Sequence, residues 1–230
     1  DFRQPYSYVV NTGFSWQVSN QVAVHVDANF NRTYADRKII DINPRNASGI
    51  RPLPQFGRVD QSESSSRLDY NALYLKVERR FAKRYELLGT YTYTRSNDNN
   101  PLTRYISPFD KTLDWGPSNG ERRHAIVFSG SFLLPYDFKL GGIYTFRSQL
   151  PWNALAGLDL NGDGFNTDLV PGTTRNSGSR NLSIGTVNAW RQQRGMQPIN
   201  ESQIDSSAIS TLDLLVSKSV GLTQKIKLTL

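Results

Sequence analysis

Cysteine is absent from all 230 residues, which removes disulfide frameworks and thiolate chemistry at once. Histidine occurs twice, as His25 and His124, and methionine once. Neither histidine stands in a Ser or Cys nucleophile pattern, and no His-Glu metal spacing exists, so neither hydrolase nor zinc chemistry has a foothold. The chain is therefore expected not to be an enzyme. Long apolar runs are missing too: none approaches the ~18 residues of a transmembrane helix. That excludes helical spans but not a membrane barrel, whose strands show lipid only every second side chain. A hydrophobic content of 37% and a mean hydropathy of −0.51 fit that case as well as they fit a polar soluble protein. The formal charge is +7, yet there is no basic run and no base-stacking motif, so no nucleic-acid partner is expected. The chain starts at Asp1 and stops at Leu230 inside an alternating pattern, and is read as a piece whose targeting segment and terminal strands lie outside it.

What is present is aromatic and alternating. Tyr and Phe occur 11 times each, an enrichment that suits strands and interfacial girdles such as Tyr8, Trp16, Tyr93 and Tyr144. After Pro5, residues Tyr8, Val10, Phe14, Trp16 and Val18 share one face and Ser7, Asn11, Ser15 and Gln17 the other. Past a turn at Asn20-Gln21, Val22, Val24, Val26, Ala28 and Phe30 oppose His25, Asp27, Asn29 and Asn31. The construction returns with Leu73, Leu75 and Val77, a basic turn at Ala82-Lys83-Arg84, and Leu87, Gly89, Tyr91 and Tyr93. A third pair carries Ile126, Phe128, Phe132 and Leu134, turns at Tyr136-Asp137, and continues with Leu140, Tyr144 and Phe146. A fourth runs through Leu212, Leu214 and Val216, turns near Gly221-Leu222-Thr223, and enters Ile226, Leu228 and Leu230.

Eight strands in four hairpins follow, each spanning about ten residues, the length a tilted membrane strand needs. Connections within hairpins are short, whereas those between hairpins, at about 35–65, 98–121 and 150–206, are long and polar. That asymmetry is expected of an outer-membrane barrel with short periplasmic turns and long extracellular loops. The fold expected is thus all-β: a fragment of an antiparallel transmembrane β-barrel, in contact with outer-membrane lipid and lipopolysaccharide. The alternation alone also suits a secreted soluble β-sandwich that binds glycans, although such folds keep connections short at both ends. A short helix is expected from Thr186 to the breaker Gly195.

Three stretches carry a resemblance. Tyr70-Asn71-Ala72-Leu73-Tyr74-Leu75-Lys76-Val77-Glu78-Arg79-Arg80-Phe81 leads into Tyr91-Thr92-Tyr93-Thr94-Arg95-Ser96. Gly116-Pro117-Ser118 precedes Glu121-Arg122-Arg123-His124, Ser129-Gly130 and Leu134-Pro135. Gly157-Leu158-Asp159-Leu160-Asn161-Gly162-Asp163-Gly164 precedes Pro171-Gly172 and Arg175-Asn176. In order and spacing these resemble the C-terminal barrel half of Oar-like TonB-dependent receptors over roughly residues 60–230. The resemblance implies a 22-stranded barrel, a separate plug, a TonB box that engages the TonB complex, and uptake or binding of a bulky extracellular ligand. Plug, TonB box and further strands are outside residues 1–230, which would be a partial barrel domain. A barrel whose loops serve adhesion or surface assembly is the rival reading.

The most chemical-looking segment runs from Asp159 to Asp168. Oxygen side chains at Asp159, Asn161 and Asp163, with Gly164 next, copy the start of a calcium loop. Val170 stands where a full loop has its bidentate Glu, and Asp168 is the substitute ligand expected, with Phe165 contributing its carbonyl. The same composition also makes ordinary turns. Glu121-Arg122-Arg123-His124 is read as a solvated rim with local ion pairing, with contacts to anionic lipopolysaccharide as the functional alternative. Asp27, Lys76, Glu78, Arg147 and Asp213 are expected to line a wet interior, and Trp190 to pack within its loop.

Overall fold

Short two-sided ribbons pair with their sequence neighbours, because a turn of a few residues leaves the returning strand no other partner. The computed structural model describes residues 2–46, 48–100, 105–204, 207–221 and 227–229, and in it this rule generates the whole sheet. Strand β1 (Tyr6–Gln17) pairs antiparallel with β2 (Val22–Asp41), β2 with β3 (Asp60–Ala82), and β3 with β4 (Tyr85–Asp98). A two-residue strand β5 (Gly116–Pro117) adds to the end of β4, which pairs mainly with β6 (His124–Leu133). The meander continues through β7 (Phe138–Arg147), β8 (Ile209–Gly221) and β9 (Lys227–Thr229). The sheet is open, with β1 and β9 at its ends.

The register confirms the two faces expected from alternation. Phe14, Val26, Leu75, Tyr91, Ile126 and Phe146 lie in one row across six strands, and Trp16, Val24, Val77, Gly89, Phe128, Tyr144 and Leu212 form the next. The opposite face presents Gly13, Asp27, Tyr74, Thr92, Ala125 and Arg147 in one row. Asn11 accepts from the Asn29 amide at 2.5 Å, and Ser15 meets His25 at 2.8 Å, both on that polar side. Among the described residues no second sheet covers the apolar side: Phe14 and Trp16 are each 61% exposed, Phe128 48% and Leu214 69%. A continuous uncovered apolar face is unstable against water and marks a surface made for hydrocarbon.

The short turns confirm the expected positions. Lys83 and Arg84 both take positive φ, 48° and 85°, the backbone hand that matches strand twist in a two-residue hairpin. Tyr136 and Asp137 do the same at 61° and 60°. The turn expected at Gly221-Leu222-Thr223, and the residues Ile226 and Leu230, lie largely outside the described residues.

Two expectations need correction. The strands β2 and β3 are 20 and 23 residues long, so the segment read as a loop over 35–65 shrinks to 42–59. At ~3.4 Å per residue these strands reach about twice the length a membrane crossing needs, and stand well clear of the bilayer. Alternation fails as a guide there because both faces of the extension meet polar surroundings. A register shift between Thr33 and Asp36, with Ala35 at φ 56°, marks the change. The loop helix, α1, spans Ile184–Gln192 rather than starting at Thr186, because Ser183 caps it by accepting from the Thr186 amide at 3.3 Å.

Candidate functional site: the capped mouth of the barrel

Among the described residues the apolar core cluster lies in the loops and not on the sheet. Ala154, Ala156, Val170 and Val187 are buried together, with Trp152, Leu182, Trp190 and Ile199 packed around them. This cluster turns the segment 150–204 into a small folded body. Backbone pairs between Ala154 and Val170 and between Ala156 and Asp168, each 2.8 Å, give it a short ladder. The indole of Trp152 lies flat on Gly178, where any Cβ would fall 2.1 Å from the ring, and its Nε1 donates to Ser179 at 2.9 Å. Trp190 packs as expected, with the Arg194 guanidinium 4.0 Å above its ring.

Buried charges fasten this body to the strand ends. Arg175 is fully buried. One of its terminal nitrogens donates to the Asp98 carboxylate at 2.6 Å and to the Asp98 and Asp114 carbonyls, and the other donates to Asn119 at 2.9 Å. The close approach needs Gly116, since a Cβ there would come within 2.3 Å of the Arg175 carbonyl oxygen. Lys38 and Asp114, both buried, form an ion pair at 2.5 Å, and Asp114 also accepts from the Ile106 amide at 2.7 Å. Asp110 caps the turn 111–114, and its bonds from the Thr112 hydroxyl and amide hold its carboxyl below the ordinary aspartate range. Asn43, also fully buried, knits the segment 42–59 by donating to Gly57 and Leu53 and accepting from the Leu53 amide.

Glu121 is the second anchor. Its carboxylate accepts from Arg180 at 3.0 Å, from Arg123, and from the Ser96 amide at 3.2 Å. Burial pulls the Arg180 pKa below the ordinary arginine value, with the neighbouring Glu121 opposing that shift. The segment Glu121-Arg122-Arg123-His124 is thus not one solvated rim. Glu121 is buried, Arg123 pairs with it, Arg122 donates to the Ser148 and Ser207 carbonyls, and His124 meets the Tyr91 hydroxyl at 2.9 Å.

These anchors fix the side on which the loops lie. Ser96 and Asp98 share the polar face with Thr94 by strand alternation, and Ser118 and Arg175 reach their side chains. At the end of β4 the loops therefore lie on the polar side of the sheet. Within this cap a cavity of about 420 Å³ opens beside Gln149, Trp152, Ser179, Leu182, Ser183 and Glu201. Sequence reasoning missed both the anchors and this cavity, because their partners lie dozens of residues apart.

The structure brings the expected calcium residues together, but their oxygens face the backbone. Asp159 accepts from the amides of Gly162, Asp163 and Gly164, and Asp168 from those of Leu160 and Asn161 and from the Asn161 side chain. Asp163 accepts from the Phe165 amide at 2.9 Å. Among the described residues no cluster of three or more His, Cys, Asp or Glu side chains is arranged to hold a metal ion. These carboxylates thereby close the turns of their own loop. The interior residues fall where expected: Asp27, Lys76, Glu78, Arg147 and Asp213 all lie on the polar face, with Lys76 and Glu78 paired at 2.6 Å.

A family model described as outer membrane beta barrel domain matches residues 1–230. The chain belongs to that family. It is therefore a barrel-wall segment of the outer membrane. Among solved structures it is similar to the outer membrane transporter YddB from Escherichia coli, with a TM-score of 0.57 at 9% identity. That match covers 98% of this chain and 27% of the transporter, and at such identity it speaks for the fold alone. The chain thus spans well under a third of that protein's length. No curated protein matches it in sequence.

Proposed function

We propose that this segment is part of an Oar-like TonB-dependent receptor, and that it forms wall and mouth of a barrel that binds and takes up a bulky extracellular ligand. The observation that carries the reading is the cap: loops from two connections are tied to the strand ends and to each other by buried ion pairs, on the polar side of the sheet. An open diffusion pore has no use for such a lid, whereas a receptor that selects before it admits does. The ligand would meet the outer surface of the cap first, with the cavity beside Trp152 as a foothold for one of its groups. On this reading a plug and a TonB-binding segment belong to the rest of the protein.

The full-length protein tests this in planar bilayers and by pull-down. It should bind the periplasmic domain of TonB and should not conduct ions as a constitutively open pore. Steady conductance together with no TonB binding would remove the transport reading and leave a barrel whose loops serve adhesion or surface assembly.

A further inference from the structure

The outer, lipid-facing side of the sheet changes character just above the apolar belt. Across β1 to β4 the next row carries Val10, Phe30, Asn71 and Arg95, and the row above it Tyr8, Arg32, Asp69 and Asn97. Above them Tyr6 stacks on Tyr34 at 5.6 Å, and the Arg67 guanidinium lies over both Tyr34 (5.5 Å) and Trp115 (5.3 Å). One carboxylate serves two cations here: Asp69 takes two bonds from Arg67, at 2.8 and 2.6 Å, and lies 3.6 Å from Arg32. Arg95 is exposed and has no hydrogen bond or ion pair among the described residues. The patch therefore has three guanidiniums, one anion and three tyrosines beside Phe30 and directly above Ala28, Leu73 and Tyr93.

Three features decide what such a patch fits. The exposed Arg95 guanidinium offers an open planar fork suited to phosphate oxygens, while Arg67, paired with Asp69, and Arg32, which donates to the Asn31 and Tyr70 carbonyls and to Asn71, add positive charge beside it. The tyrosines place it at the depth of headgroups. The apolar rows beneath continue without a break along β2, β3 and β4, so a ligand with acyl chains is accommodated and a free anion gains nothing from them. The loops lie on this end of the strands, so the patch faces the leaflet away from the short turns, whose lipid in an outer membrane is a phosphorylated glycolipid.

We propose that Arg32, Arg67 and Arg95 form a binding site for the phosphate groups of an outer-leaflet glycolipid, whose acyl chains run down the belt between Phe30, Leu73 and Tyr93. This rests on the outer-membrane placement and not on the transport reading.

The test is native mass spectrometry of the full-length protein, delipidated in mild detergent and titrated with bisphosphorylated lipid A. Lipid A should be retained, and dephosphorylated lipid A much less. Arg95→Gln should weaken retention about fivefold, the effect of one cation near an anionic headgroup. Arg95→Lys should recover most of the loss, and Arg147→Gln on the inner wall should change nothing. Because Arg95 has no hydrogen bond or ion pair among the described residues, its replacement should leave assembly intact, which heat-modifiable gel mobility verifies. Equal retention of the two lipids, no effect of Arg95→Gln, or pyrophosphate competing as strongly as the lipid would each overturn the proposal.

Discussion

Removing Arg175 should open the cap while leaving the wall standing. In Arg175→Met a side chain of similar length fills the space, but Asp98 loses its cation and Asn119 and three carbonyls lose donors. The Asp98 side chain is only 14% exposed, so water does not replace the guanidinium fully. Breaking a buried pair by deleting one partner costs about 3–5 kcal/mol. The cap's local opening should then become about 10²- to 10⁴-fold more frequent. Hydrogen exchange in lipid vesicles reads this amide by amide. Those of Ile106, Val170 and Asn176, bonded to Asp114, Ala154 and Asn153, should lose protection by that factor. Amides of β2 and β3 at Val24 and Leu75 should keep theirs, because their ladder does not pass through the cap. Loss of strand protection in step with the cap, or a change below about tenfold, would refute the view that this arginine fastens an independently stable lid.

Further outcomes follow from the same geometry. Phe128→Arg places a cation on the lipid side and should destabilise folding into vesicles by about 2–4 kcal/mol, whereas Val127→Arg, one residue earlier and facing inward, should fold nearly as well as the parent. Asp110 is a turn cap with a depressed pKa. Its stabilisation of the turn 111–114 should be complete above the ordinary aspartate value of about 3.9 and fade only as pH falls through the lowered one, seen as late exchange of the Trp115 amide. Loop 159–168 should keep its protease resistance in chelator, since backbone amides already occupy its carboxylates, while Asp159→Ala should expose it. Cleavage triggered by chelator would instead restore calcium as the loop's organiser.

How far the sequence reveals this molecule depends on what surrounds each residue. From Val22 to Phe30 lipid and an aqueous interior sit on opposite sides, so every second residue is constrained and both faces and register are readable. From Asp36 to Asp41 one side meets water and the other meets polar loops that bury Lys38 and Asp41, so a strand there has the composition of a loop. The pairs Lys38–Asp114 and Arg175–Asp98 bridge 76 and 77 residues, a distance at which alternation carries no information. The Asp159–Asp168 segment shows a different limit: its oxygens are visible in the sequence, but not whether they turn to a cation or to their own amides. Arg32, Arg67 and Arg95 look like scattered charges until the register sets them side by side.

The absence of native cysteine makes the decisive measurement simple. Single cysteines introduced in turn from 22 to 31, each carrying an environment-sensitive fluorophore, are folded into vesicles that contain brominated acyl chains. Quenching should be strong at 22, 24, 26, 28 and 30 and weak at 23, 25, 27, 29 and 31. Quenching that ignores this alternation, or none at any position, would mean that the apolar rows do not face hydrocarbon and that the sheet is no barrel wall.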